Sequence, residues 1–182
     1  MLTMAEVIDA HTSLGAADVV WLEHLVAEWH LLADLAFSDL ILWVPDVDDN
    51  VFWAAAQCRP NTGPTALEDD VVGEDIAYDP ESLVVEAYLS QEICAISGNK
   101  LHAGIPVDVH AVPILREGRT VAVVAIHTNR IGVRAQVQFC LRQPETNGHV
   151  IIENTHPLPG ITTADQAIEQ FRIKCLNAIQ LQ

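Results

Sequence analysis

A cysteine and an arginine stand side by side where an apolar run gives way to a turn rich in proline and glycine. Cys58 and Arg59 follow the run at 51–57 and precede the segment at 60–64. The guanidinium of Arg59 is a planar fork of donors that suits a carboxylate or a phosphate, so this residue is a candidate ligand for an anion. An ion pair with one of the many nearby acids is the alternative.

The same arginine bears on the chemistry of Cys58. A positive charge beside a thiol lowers its pKa and favours the thiolate, which is the setting of a redox-sensing cysteine. The alternative is a buried thiol that packs as a small hydrophobic side chain, and the frequency with which free cysteines are buried favours it. Cys94 has no adjacent cation.

Three polar residues of the following turn, Asn61, Thr62 and Thr65, are candidates to hydrogen-bond the same ligand. Asn and Thr are also common turn formers, so a purely structural role is the alternative. Together with Cys58 and Arg59, these residues make the turn a predicted ligand-binding loop.

A second candidate cluster depends on the register of a predicted hairpin. Two β-branched runs, 107–115 and 119–128, bracket a two-residue turn. If the strands pair outward from that turn without a shift, Asp108 lies opposite His127, and both share a face with His110. Such a face would hold a small polar ligand or a divalent metal. A solvated face is the alternative, no close-spaced His or Cys motif supports a metal, and a shift of one residue would separate the three side chains.

The remaining pattern supplies the elements that would position these residues. Apolar residues recur at steps of three and four from Ala16 to about Ala36, which predicts one amphipathic helix. The further predicted elements are strands at 39–44, 51–58, 107–115 and 119–128, a short helix at 82–89 and a turn at 97–99. This order predicts an α+β fold in which an antiparallel sheet is flanked by helices.

The C-terminal part of the chain has a different character. From about residue 136, prolines and glycines punctuate the sequence until a helical pattern with a narrow apolar seam resumes at 164–181. Such a seam suits a dimer or output helix, and packing against the chain's own sheet is the alternative. We therefore predict a domain at 1–135 and an extension at 136–182 that carries an exit helix.

The charge distribution limits the partners of the chain. Its 182 residues carry a formal net charge of −16, with a pI near 4.6, which disfavours nucleic acid and anionic membrane surfaces. No cationic leader opens the sequence, and acidic residues interrupt the apolar N-terminal stretch before it could span a bilayer. The four cysteines form no CxxC pair, so reduced thiols and a cytoplasmic location are expected.

Several segments together resemble a known family of signalling domains. They are residues 28–39, 42–44, 56–65, 72–73, 112–114 and 121–123, of which 56–65 is the most specific. In these segments the chain resembles, over roughly residues 5 to 130, the N-terminal GAF-like sensor domain of soluble actinobacterial sensor histidine kinases of the PdtaS type. The resemblance implies a GAF/PAS-like antiparallel sheet with N- and C-terminal helices.

The resemblance also implies a function. In that family the domain is an input module that precedes a PAS domain and a dimeric kinase core, and the partner response regulator acts on RNA. The phosphoacceptor His and the ATP-binding boxes have no counterpart among these 182 residues. The leading hypothesis is thus a non-catalytic cytoplasmic sensory domain that binds a small effector of unspecified identity and works as a homodimer.

Two other hypotheses stay open at the level of sequence. Some GAF domains reduce methionine sulfoxide with cysteine chemistry, for which Cys58 and Cys94 are the candidate pair. That chemistry needs the two Cα atoms within roughly 4.4 to 6.8 Å of each other. The other hypothesis is a dimerisation module that binds no ligand.

Overall fold

The computed structural model describes residues 2–47, 51–77, 79, 82–102 and 104–131. This part of the chain contains four helices and six strands. The order is α1 (Met4–His11), α2 (Ala16–Ala27), α3 (Trp29–Ala36), β1 (Ser38–Pro45), β2 (Val51–Cys58), β3 (Asp75–Ala77), α4 (Leu83–Ser90), β4 (Cys94–His102), β5 (Ile105–Arg116) and β6 (Arg119–Asn129). The predicted extension at 136–182, with its exit helix, lies outside the described residues.

The six strands form one antiparallel sheet in the order β3-β2-β1-β6-β5-β4. This confirms the predicted α+β fold. The hairpin of β5 and β6 turns through Glu117 and Gly118, whose φ angles are 52° and 79°. Two consecutive positive φ angles are typical of the tight turn whose twist matches that of its flanking strands. No helix within the described residues is long and apolar enough to cross a bilayer.

Each face of the sheet carries its own apolar core. The helix face is the side covered by α1, α2 and α3, and it includes Leu40 and Leu42 of β1, Val112 and Ile114 of β5, and Val124 and Ile126 of β6. The α4 face is the other side, where Ile41, Trp43, Ala111, Val123 and Ala125 contact Val84, Val85 and Ala87 of α4 and Leu67 of a loop. β1 is therefore buried on both faces, which explains why its sequence is apolar without alternation.

The predicted helix from Ala16 to Ala36 is in fact two helices. α2 ends at Glu28, where φ is −96° and ψ is 3°, and α3 begins at Trp29. Leu22 and Leu25 on one side of the break and Trp29 on the other are all buried. The apolar period runs through the break without interruption, so periodicity alone could not locate it.

The hairpin register differs from the predicted one by one residue. Leu115 pairs with Thr120 as expected, but the next pair is Ile114 with Ala122, so Val121 is an extra residue on β6. This β-bulge shifts every later pair: Asp108 faces Thr128, His110 faces Ile126, and His127 faces Val109. The prediction that Asp108 lies opposite His127 was therefore wrong.

Three further elements depart from the predictions. The turn expected at 97–99 lies within β4, where the pairing with β5 shifts between Ile96 and Lys100. The short strand β3 was not predicted. Nor was α1, although Thr3 and Glu6 form a capping box, a signal that the sequence does carry.

Gly73 offers a test of the backbone next to β3. Its φ is 89°, its amide donates to the carbonyl of Ala54 at 2.8 Å, and a Cβ there would lie 2.7 Å from Cδ1 of Leu2. We expect Gly73→Ala to lower the free energy of unfolding by about 1 to 2 kcal/mol, because an L side chain disfavours this conformation. Urea denaturation measures the change.

The matched control is Gly15→Ala. Gly15 has an ordinary φ of −71°, and the nearest atom to an added Cβ is 3.7 Å away. Gly15 is the N-cap of α2, where Ala is less favourable than Gly, so this variant should cost less than about 1 kcal/mol and less than Gly73→Ala. Equal effects of the two substitutions would contradict the assignment of strain to Gly73.

Candidate functional site

The loop after β2 is held in place by side chains from α3, from β1 and from its own first residue. We call residues 59–70 the anchored loop. Its anchors are Arg59 at its own start, Asp34 of α3 and Asp39 of β1. The predicted ligand-binding residues Asn61, Thr62 and Thr65 all lie in this loop.

Arg59 closes the anchored loop on itself. Its Nε donates to the carbonyl of Leu67 at 3.0 Å, and one Nη donates to the carbonyl of Glu68 at 3.0 Å. The other Nη forms an ion pair with Asp70 at 2.6 Å. The guanidinium fork thus holds loop acceptors, which is the ion-pair alternative that the sequence left open.

Asp34 ties the first part of the loop to α3. One carboxylate oxygen accepts from the amides of Asn61 at 2.5 Å and Thr62 at 2.9 Å, and from the Thr62 hydroxyl at 3.2 Å. The bond from the Thr62 amide lowers the pKa of Asp34, against a smaller opposing effect of burial. In this structure Asn61 and Thr62 therefore bind Asp34.

Asp39 holds the second part of the loop from beneath. Its side chain is fully buried, and its two oxygens lie 2.5 Å from the Thr65 hydroxyl and 2.5 Å from the Ala66 amide nitrogen. Burial raises the pKa of Asp39, although the bonds from Thr65 and Ala66 and the charge of Arg59 oppose that rise.

The hydroxyl of Thr65 points to the protonation state of this carboxyl. Its oxygen lies 2.5 Å from Asp39 and 2.7 Å from the carbonyl of Leu67, yet it has one hydrogen to donate. A protonated Asp39 satisfies all three groups, because the acid then donates to Thr65 and Thr65 donates to Leu67.

Two residues of β6 join Asp39 and Thr65 on the α4 face. His127 pairs directly with Asp39 across β1 and β6, and Nδ2 of Asn129 donates to the carbonyl of Thr65 at 3.1 Å. We call Asp39, Thr65, His127 and Asn129 the polar end of the α4 face. Sequence reasoning missed Asp39 and Asn129 as site residues; an acid at the start of an otherwise apolar strand was the available signal.

Cys58 lies on the opposite face from this group. It pairs with Leu40, belongs to the core of the helix face, and its Sγ is 3.4 Å from Nδ1 of His30. Burial raises the pKa of the Cys58 thiol, and the charges of Asp34 and Asp39 add to the rise. Cys58 is thus the buried thiol that the sequence favoured, and the thiolate alternative is not supported because the guanidinium of Arg59 is directed toward Leu67, Glu68 and Asp70.

Asp108 and His110 are also separated from His127 by the sheet. Both are buried on the helix face, where Asp108 pairs with Thr128 and His110 pairs with Ile126. A carboxylate oxygen of Asp108 lies 3.7 Å from Nε of Arg130. The predicted cluster of three is thus divided between two faces. Within the described ranges, no three His, Cys, Asp or Glu side chains are grouped to hold a metal ion.

The two described cysteines do not form a reactive pair. Cys58 ends β2 and Cys94 begins β4, and three strands lie between them in the sheet. Four strand spacings amount to about 19 Å, far beyond disulfide reach. Cys94 also packs against the core of the α4 face, whereas Cys58 is on the helix face. This geometry does not support the reductase hypothesis.

Comparison with known proteins agrees with this architecture. A family model described as "Histidine kinase PdtaS, GAF domain" matches residues 4–141, which is most of the chain. The chain belongs to the PdtaS GAF domain family. Its resemblance to the sensor domain of these kinases is thereby confirmed.

Similar proteins include sensor histidine kinases and their sensor regions. The sensor histidine kinase PdtaS of Mycolicibacterium smegmatis is 38% identical over 133 residues, which cover 70% of this chain and 26% of that protein. PdtaS of Mycobacterium tuberculosis H37Rv is 43% identical over 88 residues, covering 48% and 17%. A solved "sensor region of a sensor histidine kinase" matches with a TM-score of 0.64 at 26% identity, covering all of this chain and 52% of that one. The chain thus spans 26% or less of the length of these curated relatives.

Removal of Arg59 should release the anchored loop. Arg59→Ala removes three donors, so we expect a loss of about 1 to 3 kcal/mol and faster amide exchange at Ala66 and Leu67. Asp70→Ala removes only the exposed ion pair and should cost less than about 1 kcal/mol. Hydrogen exchange measured by mass spectrometry compares the two variants. Equal protection of these amides in both variants would show that the hydrogen bonds of Arg59 do not hold the loop.

Asp39 should make stability depend on pH in a specific direction. Its folded-state pKa is raised above the ordinary 3.8, so its stabilising contribution is complete below that value and is lost as the pH rises through the folded-state pKa. Asn cannot ionise, yet its amide can donate to Thr65 while its oxygen accepts from Ala66. We therefore expect the stability of Asp39→Asn relative to the parent to increase as the pH rises from the ordinary value of 3.8 through the raised folded-state pKa.

Asp34→Asn is the control with the opposite sign. The folded-state pKa of Asp34 is lowered, so its contribution is present above the ordinary value and is lost as the pH falls. Urea denaturation across the pH range, on the parent and both variants, measures the two trends. Parallel stability curves for the parent and Asp39→Asn would show that Asp39 is not perturbed as described.

Proposed function

We propose that the chain is the non-catalytic sensory input domain of a two-component sensor histidine kinase, and that it binds a small polar effector at the polar end of the α4 face. The observation that carries this proposal is the convergence of Asp39, His127 and Asn129 around Thr65 of the anchored loop. Sites of this kind combine an apolar wall with a few convergent polar groups.

The effector that suits this site is neutral or cationic. The Asp39 carboxyl donates a hydrogen bond when protonated and accepts one when ionised, and the polar groups of His127 and Asn129 stand beside it on the same face. Arg59, the predicted anion ligand, is engaged with Leu67, Glu68 and Asp70. The net charge of −16 also disfavours the approach of an anion.

Binding would act through the anchored loop. A ligand that hydrogen-bonds Asp39 or Asn129 competes with Thr65 and Ala66 for the same atoms, and so changes how the loop is held. A signal arises only if the ligand binds two conformations with different affinity. The loop with its anchors intact and the loop released from Asp39 are such a pair of states.

The rest of the proposal concerns the whole protein. The domain works in the cytoplasm within a homodimer, and it passes its state to a kinase core and a response regulator. In this scheme Arg59, Asn61 and Thr62 keep the loop in place, Thr65 and His127 meet the effector, and Cys58 packs in the core of the helix face. Asp108 and His110 face the other side of the sheet and are left out of the site.

The proposal is tested by a thermal-shift screen of the 182-residue chain. The panel contains amino acids, polyamines, nucleosides and sugars, and hits are titrated by calorimetry. A ligand at one hundred times its Kd should stabilise the domain by about 2.7 kcal/mol. His127→Ala should weaken binding at least tenfold, which corresponds to about 1.4 kcal/mol.

His110→Ala is the matched control, since it removes the same side chain from the opposite face and should leave the Kd unchanged. A hit whose affinity falls equally in both variants would move the site away from the polar end. A panel without any hit would favour the dimerisation module that binds no ligand, and sedimentation analysis would then test for the dimer.

A further inference from the structure

The tip of the β5–β6 hairpin is held from both faces of the sheet. We define the hairpin tip as residues 116–120. Arg116 pairs with Arg119, and the preceding pair is Leu115 with Thr120. Because side chains alternate along a strand, the first pair is directed to one face and the second to the other. The contacts of the tip follow this alternation.

On the helix face, the tip is bound to the start of α2. Asp18 accepts from Nη1 of Arg116 at 2.7 Å on one oxygen and from Nη2 of Arg119 on the other. Asp18 is 5% exposed, whereas the side chains of Arg116 and Arg119 are 25% and 56% exposed. Burial disfavours the charge on Asp18, but the bonds and charges of the two arginines outweigh it and lower the pKa.

On the α4 face, the same tip is bound to the end of α4. The hydroxyl of Thr120 donates to the carbonyl of Tyr88 at 3.0 Å, and Nε2 of Gln91 donates to the carbonyl of Gly118 at 3.3 Å. Gln91 is the C-terminal cap of α4. The ring of Tyr88 contacts the ring of Phe52 edge-on, with 5.2 Å between the ring centroids, so this end of α4 also contacts β2.

We infer that the hairpin tip is a connector that couples the position of α4 on one face of the sheet to that of α2 on the other. The tip spans five residues, and its two-residue turn has a fixed backbone conformation. A displacement of α4 that keeps the Thr120 and Gln91 bonds must therefore move Arg116 and Arg119, and through them Asp18. A displacement that breaks those bonds releases one side of the tip.

The coupling is a property of the fold and stands whether or not an effector binds. Its use to carry a signal from the α4 face to the N-terminal helices rests on the proposed function. Energetic coupling of this kind is reciprocal, so a change at α2 must also be felt at the end of α4. The physical warrant is a double-mutant cycle between two residues that share the tip but belong to opposite faces.

The cycle uses Asp18→Asn, Thr120→Val and the double variant, each unfolded in urea. Either single substitution releases one side of the tip, so the second should then cost less than it does in the parent. For each variant, the measured quantity is the fold-change in the unfolding equilibrium constant relative to the parent. We expect the fold-change of the double variant to be smaller than the product of the two single fold-changes by more than about threefold. Independent sites would agree with that product to within about twofold.

The control cycle pairs Thr120→Val with Asp34→Asn. Asp34 is likewise a carboxylate that holds hydrogen bonds beside the helix face, but its partners are Asn61 and Thr62. This cycle should be additive within about twofold. If Asp18→Asn does not fold, Arg119→Gln replaces it. The Arg119 side chain is 56% exposed, so water can solvate the glutamine that takes its place.

Amide exchange supplies a second readout. Thr120→Val should speed the exchange of the Asp18 and Val19 amides, which donate to Gly15 at the start of α2. Asp18→Asn should speed that of the Gln91 amide, which donates to Ala87. An additive cycle for Asp18 and Thr120 overturns the coupling, as does equal non-additivity in the control cycle. Neither outcome affects the ligand screen, so the proposed function is judged separately.

Discussion

Asp39 is fully buried at the start of β1, and its two carboxyl oxygens hold the hydroxyl of Thr65 and the amide of Ala66. A buried acid is tolerated only where hydrogen bonds replace the water that it loses. The loop must therefore stay over β1 for as long as Asp39 is out of solvent, and the carboxyl must stay buried for as long as the loop is in place. The position of the whole anchored loop depends on this mutual requirement, and Arg59 and Asp34 then fix its two remaining segments.

The positions of the strands could be predicted from their composition, whereas the pairing register between strands could not. The predicted β1 and β2 agree with the structure to within a residue or two, since apolar runs bounded by turn residues mark a buried strand well. The bulge at Val121 left no comparable mark, because a valine fits a regular strand as well as a bulge. One extra residue then exchanged the faces of everything beyond it, and so divided the predicted cluster of Asp108, His110 and His127.

The chemistry of Cys58 shows a different limit of sequence reasoning. Arg59 is its neighbour in the chain, and proximity along the chain predicted a lowered thiol pKa. In the fold the guanidinium turns toward Leu67, Glu68 and Asp70, while Asp34 and Asp39 come from elsewhere in the sequence and raise the pKa instead. Electrostatic effects follow distance in space, so a charge adjacent in sequence carries little information unless the direction of its side chain is known. The ion-pair and buried-thiol alternatives needed only composition, and those are what the structure has.

The arrangement of the two cores limits how the α4 face can influence the helices on the other side. Apolar side chains of β1, β5 and β6 form part of the core on each face of the sheet. Close-packed apolar cores transmit displacement, but their side chains offer no hydrogen-bonded link from one face to the other. Among the described residues, the polar contacts given above that lie on opposite faces come closest to each other near the ends of the strands. At one end, adjacent residues of β1 divide the two sides: Ser38 bonds Thr128 at 2.7 Å on the helix face, and Asp39 meets the anchored loop on the other. At the opposite end, the hairpin tip contacts Asp18 and the end of α4. A change in how Asp39 is held is thus close to the helix face along the backbone of β1, and the sheet need not deform at its centre for the two sides to be linked.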